Sequence, residues 1–208
     1  MNHIFNKLEL DLATEAINIG LAKAADSLSF FTREKVVIRS KDLIISEIKE
    51  EKLYTKSSDP LTVLSTQIKG GMKGYCYLIF TQKEIEHLFQ LSLPKSVLDN
   101  KEQMVEMGKA ILMEVDNIIT AAVVTQFSNL FKTDMHGYVP EHFSGNKQEV
   151  DSYIRGHTNE GNLILHFNTP LISGVQSIAP EFLWCMDDTF IQAVKKFVQE
   201  DDNFNKLK

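Results

Sequence analysis

A stretch of nine residues in the first helix-like segment of this chain returns in a second such segment 99 residues later, where DLATEAINI is matched by AILMEVDNI. The first copy places Glu15 three residues before Asn18. The second copy places Glu114 three residues before Asn117. Residues three apart lie side by side on one face of an α-helix. The repeat therefore predicts a fold with two similar halves, each carrying a carboxylate next to a carboxamide.

The composition excludes several classes of protein. The chain has 208 residues, 43% of them hydrophobic and 24% charged, as in ordinary globular proteins. A net charge of −6, without a basic stripe, argues against nucleic-acid binding. The first residues lack a secretion signal, and no run of about 18 apolar residues predicts a membrane span. Cys76 and Cys185 stand in apolar segments without metal-ligand spacing, which favours free thiols and a cytoplasmic location.

Hydrophobic periodicity predicts two long helices, at about 8–31 and about 99–131, because apolar residues recur there at helical spacing. Short β-branched or aromatic runs between them predict strands at 35–39, 43–45, 61–68 and 75–80. The glycines of 70–74 join the last two strands as a hairpin, and 83–91 is predicted to be a short helix.

This hairpin also has an apparent echo, because 68–70 match 154–156 at an offset of 86 and 75–80 match 162–167 at an offset of 87. Two matches in the same order indicate a gene duplication. The predicted fold class is therefore α+β, with an antiparallel sheet shared by two pseudo-symmetric halves and the two long helices packed on one face. The predicted organisation is one domain over 1–208, with repeats at about 8–95 and about 99–198.

The simplest explanation of one Glu–Asn pair is the solvated edge of an amphipathic helix. The duplicated surroundings argue against it, because the same strip continues with short side chains in both helices and carries no Lys or Arg. Asn and Ser are also poor helix formers. We therefore expect an exposed strip on which a partner's backbone approaches closely, formed beyond the two pairs by Ala22, Asp26 and Ser29 and by Ala121, Thr125 and Ser128.

The pattern Asp-x-x-x-Glu-x-x-Asn, with a proline further along the chain, resembles the active-site pattern of the CheC/CheX/FliY phosphatases of bacterial chemotaxis. The resemblance extends over nearly the whole chain, because those proteins also have duplicated halves. The first half matches at Asp11, Glu15 and Asn18 but has Lys41 in place of the proline, whereas the second matches at Glu114, Asn117 and Pro140 but has Ala110 in place of the leading acid.

The resemblance implies hydrolysis of the aspartyl phosphate on a CheY-like response regulator. Asn18 and Asn117 would orient the attacking water, and Glu15 and Glu114 would pair with the regulator's active-site lysine. Asp11 and Pro140 would have supporting roles, as a helix N-terminal charge and as the end of a turn. The chain itself would bind no metal or cofactor, because Mg²⁺ is expected in the regulator.

The expected partner is a phosphorylated CheY-like regulator, rather than nucleic acid or a membrane. The resemblance also allows a CheD-like deamidase as a second partner. The alternative function is a non-catalytic regulator-binding or adaptor protein on the same fold.

Overall fold

The fold is that of a computed structural model, which describes residues 4–32, 35–38, 43–48, 53–159, 162–168, 170–173 and 176–200. The elements follow the chain in the order α1 (Lys7–Thr32), β1 (Val36–Ile38), β2 (Ile44–Glu47), β3 (Leu61–Gly70), β4 (Gly74–Thr81), α2 (Gln82–Ser92), α3 (Lys95–Leu98), α4 (Lys101–Phe131), β5 (Met135–Gly137), β6 (Glu141–Gly145), α5 (Lys147–Gly156), β7 (Leu163–Asn168), β8 (Leu171–Ser173), β9 (Gln176–Ile178), β10 (Glu181–Met186) and α6 (Asp188–Glu200).

A seven-stranded antiparallel sheet forms the middle of the molecule. Its strands lie in the order β2-β7-β10-β4-β3-β5, and β6 also pairs with β3. The centre of this order is the pair β10 and β4, which run antiparallel with Phe182 opposite Leu78. On either side lies one further antiparallel strand, β7 beside β10 and β3 beside β4. The sheet thus has two equivalent halves that meet at its central strand pair, as the duplication predicts. A separate three-stranded sheet has the order β1-β8-β9.

The helices α1 and α4 pack against each other on one face of the main sheet. Side chains alternate along the strands, and Cys76, Leu78 and Phe80 of β4 point to the helix layer, where they belong to the larger apolar core. Val115 and Phe127 of α4 are fully buried in the same core. The two predicted long helices, their place on one face and the α+β fold class are confirmed.

The opposite face of the sheet is also covered, by the helix α5 and the segment around Leu53, which close a second, smaller apolar core. The prediction of a second hairpin was wrong. Residues 154–156, matched in sequence to the end of β3, lie at the end of α5, and β7 pairs with β10 and β2. The strands equivalent to β3 and β4 are therefore β7 and β10. A short sequence match between a strand end and a helix end misplaced the repeat.

A capping box begins α5, and it is the sequence signal that would have identified this helix. The Asn146 side chain accepts hydrogen bonds from the backbone N–H groups of Gln148 and Glu149, at 3.0 and 3.1 Å. In return, the Glu149 carboxylate accepts the N–H of Asn146 at 2.7 Å. Val150 and Ile154, four residues apart, are the buried side of the helix.

Among the described residues, α4 is the one helix that is long and apolar enough to cross a membrane by length and composition. Such a helix was not predicted from the sequence. Its apolar side chains pack against α1 and the sheet, as in a core helix. Cys76 and Cys185 are both free and buried, as predicted.

Candidate functional site

The first Glu–Asn pair lies two to three turns into α1. The helix begins with reciprocal hydrogen bonds, because Asn6 N–H donates to the Glu9 carboxylate at 2.8 Å and Glu9 N–H donates to the Asn6 side chain at 3.0 Å. Glu9 is therefore the acidic residue of the first turn. Asp11 and Glu15 follow it, both exposed, so that Asp11 stands one turn before Glu15 on the outer side of the helix.

An open groove of about 600 Å³ lies beside this pair, between α1 and the end of α4. Asn18 does not project freely next to it. Its side chain is half-buried, and its Oδ1 is enclosed without accepting a hydrogen bond from the described residues. The groove is lined by Asp11, Leu12, Glu15, Ala16 and Ile19 of α1 and by Gln126, Asn129 and Leu130 of α4.

The second pair lies in the middle of α4, where Glu114 and Asn117 are both exposed. A larger open groove, of about 1120 Å³, lies beside Glu114 and runs to the end of α1. Its lining is Glu114 and Ile118 of α4, with Asp26, Ser27, Ser29, Phe30, Phe31 and Lys35.

The two grooves are related by the internal duplication. A shift of 99 residues converts Glu15 and Ile19 into Glu114 and Ile118. The same shift in reverse converts Gln126, Asn129 and Leu130 into Ser27, Phe30 and Phe31. Each groove is thus formed by the middle of one long helix and the end of the other, so that neither half of the chain forms a groove alone.

A buried carboxyl group underlies the second pair. Asp116 points away from solvent, into the contact between α4 and the sheet, where Thr66 Oγ1 donates to its Oδ2 at 2.5 Å. Burial raises the pKa of Asp116 to about 7, although the hydrogen bond from Thr66 lowers it in part. One turn further on, Thr120 donates to the Cys76 sulfur at 3.3 Å, and burial raises the pKa of that thiol.

The serines of the predicted docking strips have structural roles. Ser29 Oγ accepts the N–H of Val36 at 2.8 Å, which ties the end of α1 to β1. Ser128, 99 residues later, donates to the carbonyl of Thr133 at 2.6 Å and ties the end of α4 to the approach to β5. Ala22, Asp26, Ala121 and Thr125 are exposed, as expected for open strips.

Strands β5 and β6 both contact α4. A Cβ on Gly137 would lie 3.5 Å from the Thr120 side chain. Gly137 therefore faces the side of α4 that packs on the sheet, whereas Tyr138, the next residue, points to the opposite side, where the Lys69 ammonium lies 4.2 Å from its ring. The pKa of His142 is lowered, mainly by burial and to a smaller extent by the positive charge of Lys109. Pro140 is buried in the connection between the two strands, immediately before β6.

The structure brings together residues that sequence reasoning did not connect. Phe30 was not part of the predicted apolar stripe of α1, because Leu28 and Phe31 occupy the core-facing positions around it. That misfit was itself a signal, since a large apolar residue off the stripe is expected to be exposed. Asp116 carried no such signal, because nothing in the sequence distinguishes a buried aspartate from an exposed one.

No protein-family model matches the sequence, and no curated protein sequence matches it. Solved structures do match. FliY of Thermotoga maritima aligns with a TM-score of 0.75 at 16% identity, over 96% of this chain and 100% of that chain. A FliM chain from the FliM–SpeE complex of H. pylori aligns with a TM-score of 0.67 at 12% identity, over 95% and 98%. A chain of the CheX–CheY–BeF3–Mg²⁺ complex of Borrelia burgdorferi aligns with a TM-score of 0.55 at 17% identity, over 82% and 97%. The chain therefore has the fold of the CheC/CheX/FliY family, as its duplicated Glu–Asn pattern predicts.

Proposed function

We propose that this chain is a phosphatase that hydrolyses the aspartyl phosphate of a CheY-like response regulator in the cytoplasm. The observation that carries the proposal is the repetition of one arrangement at equivalent places in the fold. A Glu–Asn pair lies on each long helix, with its glutamate on a groove that both helices line. The two nine-residue copies are identical only at Glu, Asn and the final Ile, so the pair is kept where its neighbours have changed.

The chemistry requires little of this chain beyond positioning. An aspartyl phosphate loses its phosphoryl group when a water oxygen attacks phosphorus in line with the bond to the aspartate oxygen, which leaves as a carboxylate. The exposed carboxamide of Asn117 can accept a hydrogen bond from that water and donate one to a neighbouring oxygen. Such placement replaces a random encounter with a fixed geometry and needs no shifted pKa. Mg²⁺ in the regulator would supply the charge that the phosphoryl oxygens need.

Glu114 and Glu15 suit the anchoring role. Both carboxylates are exposed on a groove wall, and no described cation lies within ion-pair distance of either. A lysine from the regulator could therefore pair with either carboxylate without first displacing a described one. A charge-assisted contact of this kind fixes orientation as well as adding affinity.

The experiment measures the rate of phosphate release from CheY-like receiver domains that have been phosphorylated with acetyl phosphate, with and without this protein. Asn18→Ala combined with Asn117→Ala should remove the acceleration, because no other residue is proposed to orient the water. Gln148→Ala is a matched control, since it removes an exposed carboxamide from α5 on the opposite face of the sheet. Full acceleration by the double variant would reject the proposal.

The alternative is a binding protein without catalysis on the same fold, and a chain of the FliM–SpeE complex with this fold is an example of one that binds another protein. That function predicts a tight complex with a BeF3-loaded receiver domain and no change in the lifetime of the phosphorylated one. The same labelled domains distinguish the two functions, because only a phosphatase shortens that lifetime.

A further inference from the structure

We infer that the groove at Glu114 is the productive docking site, and that Phe30 is the residue that anchors the regulator there. The inference rests on the proposed phosphatase function and deepens it, because it says which of the two sites works and which side chain selects the partner. Phe30 belongs to α1, whereas Glu114 and Asn117 belong to α4, so that the working site is assembled from both halves of the chain.

Phe30 is 88% exposed, the largest exposed fraction among the large hydrophobic residues that the structure describes. A single exposed apolar residue is ordinary on a protein surface. Phe30 differs because it lines the same groove as Glu114 and Ile118. An aromatic side chain next to a polar contact is a frequent hot spot, since burying it removes a large apolar area from water when the partner binds.

The two sites are unequal in the features that docking would need. At the position of Phe30, the first groove has Asn129, a polar residue. Asn18 is half-buried with its Oδ1 enclosed, whereas Asn117 is exposed. A carboxamide that must enter a partner's active site has to project from the surface, so the second site has both the reachable amide and the apolar anchor.

The groove at Glu114 offers a partner two kinds of contact. Phe30 supplies an exposed aromatic ring, and the Glu114 carboxylate on the same groove is exposed as well. This arrangement fits the face of a folded receiver domain, whose phosphorylated centre meets the Glu114–Asn117 pair while its rim covers Phe30.

The test separates binding from chemistry by measuring phosphate release over a range of receiver-domain concentrations. Phe30→Ala should raise KM about tenfold and leave kcat within about twofold, because the residue contributes contact area and no reacting group. Val105→Ala is the control, since it truncates another exposed apolar residue, 62% exposed and outside both grooves, and should leave both constants unchanged. The Phe30 side chain is too exposed for its removal to unfold the protein, which thermal unfolding of the variant checks.

An unchanged KM in Phe30→Ala would overturn the anchor. Loss of acceleration in Asn18→Ala, with none in Asn117→Ala, would overturn the choice of site while leaving the phosphatase function intact. Failure of the function itself has a separate signature, which is full acceleration by the double asparagine variant. If Phe30 instead contacts a second copy of this chain, Phe30→Ala would change the sedimentation of the protein and not KM, which also overturns the inference.

Discussion

Asp116 shows how a single buried residue distinguishes the two otherwise similar helices. A shift of 99 residues places it opposite Ile17, a buried apolar residue of α1, so only the second half buries a carboxyl group at this position. Its Oδ2 has Thr66 as a partner, whereas its Oδ1 accepts no hydrogen bond from the described residues. The burial that raises its pKa to about 7 makes the contact between α4 and the sheet sensitive to pH near neutrality.

We expect the unfolding free energy of Asp116→Asn to rise relative to that of the natural chain as the pH rises. The natural carboxyl has a pKa of about 7 in the folded state and 3.8 in the unfolded state. Its stabilising contribution to the free energy of unfolding is therefore fully present below about pH 4 and is lost as the pH rises through about 7. The amide does not titrate. Between pH 5 and 8, the difference in unfolding free energy should shift by about 3 kcal/mol in favour of the variant. Urea unfolding at several pH values measures it, and a difference that stays constant with pH would contradict the burial of an ionisable group here.

At the scale of elements, the crossing of α1 and α4 depends on a glycine. A Cβ at Gly20 would lie 2.7 Å from the Cα of Val123, closer than real Cβ atoms come to backbone. The absence of a side chain therefore lets the two helices touch at the point where their grooves diverge to either side. Because each groove is lined by both helices, the spacing at Gly20 bears on both candidate sites.

Gly20→Ala should destabilise the protein by about 1 to 2 kcal/mol. Overpacking typically costs about 1 to 3 kcal/mol, a contact with a backbone atom belongs to the upper half of that range, and the better helix propensity of alanine offsets about 1 kcal/mol of it. Gly156→Ala is the matched control, because a Cβ there meets nothing within 4 Å. Denaturant unfolding compares the two variants. Equal stability of Gly20→Ala and the natural chain would mean that the helices cross further apart than the structure describes.

The elements that the sequence predicted well are those with a local signal. The long helices and the hairpin of β3 and β4 follow from periodicity and from glycines at a turn, so their bounds agree within a few residues. The helix α5 was missed although its capping box is also local, because a match between 154–156 and 68–70 was read as common descent. Three residues of similarity carry less information than a hydrogen-bonded cap.

At the scale of the whole molecule, the duplication predicted the kind of fold but not which strands are equivalent. The central pair of the sheet joins β4 to β10, strands about a hundred residues apart, and no local pattern encodes such a pairing. For the same reason the sequence predicted the two Glu–Asn pairs but not that each faces the end of the other helix. The repeat limits at about 8–95 and about 99–198 stay a prediction.

The outer face of the sheet is held by a buried ionic network far from the candidate sites. The Glu181 carboxylate is fully buried, accepts the backbone N–H groups of Thr55 and Lys56 at 2.5 and 3.0 Å, and lies 2.7 Å from His166 Nε2. The Lys56 ammonium in turn contacts the Glu84 carboxylate at 2.7 Å. Burial alone would raise the pKa of Glu181, but the neighbouring His166 side chain and the N–H groups of Thr55 and Lys56 outweigh it and leave the pKa below its usual value. The network thus ties β10 to the segment that covers the second core.

Glu181→Gln should lower stability at pH 7 by about 2 to 4 kcal/mol, because it leaves His166 and two backbone donors facing a neutral amide in a buried place. The pKa of Glu181 is lower in the folded state than its unfolded value of 4.5. The natural carboxylate therefore stabilises the fold fully above pH 4.5, and this stabilisation is lost as the pH falls through the folded-state pKa. The penalty should therefore shrink on acidification, the reverse of the trend for Asp116→Asn. Phosphate release by the folded variant should keep its KM and kcat, because Glu181 lies on the sheet face away from α1 and α4. A changed kcat at a temperature where the variant is fully folded would show that the two faces of the sheet are coupled.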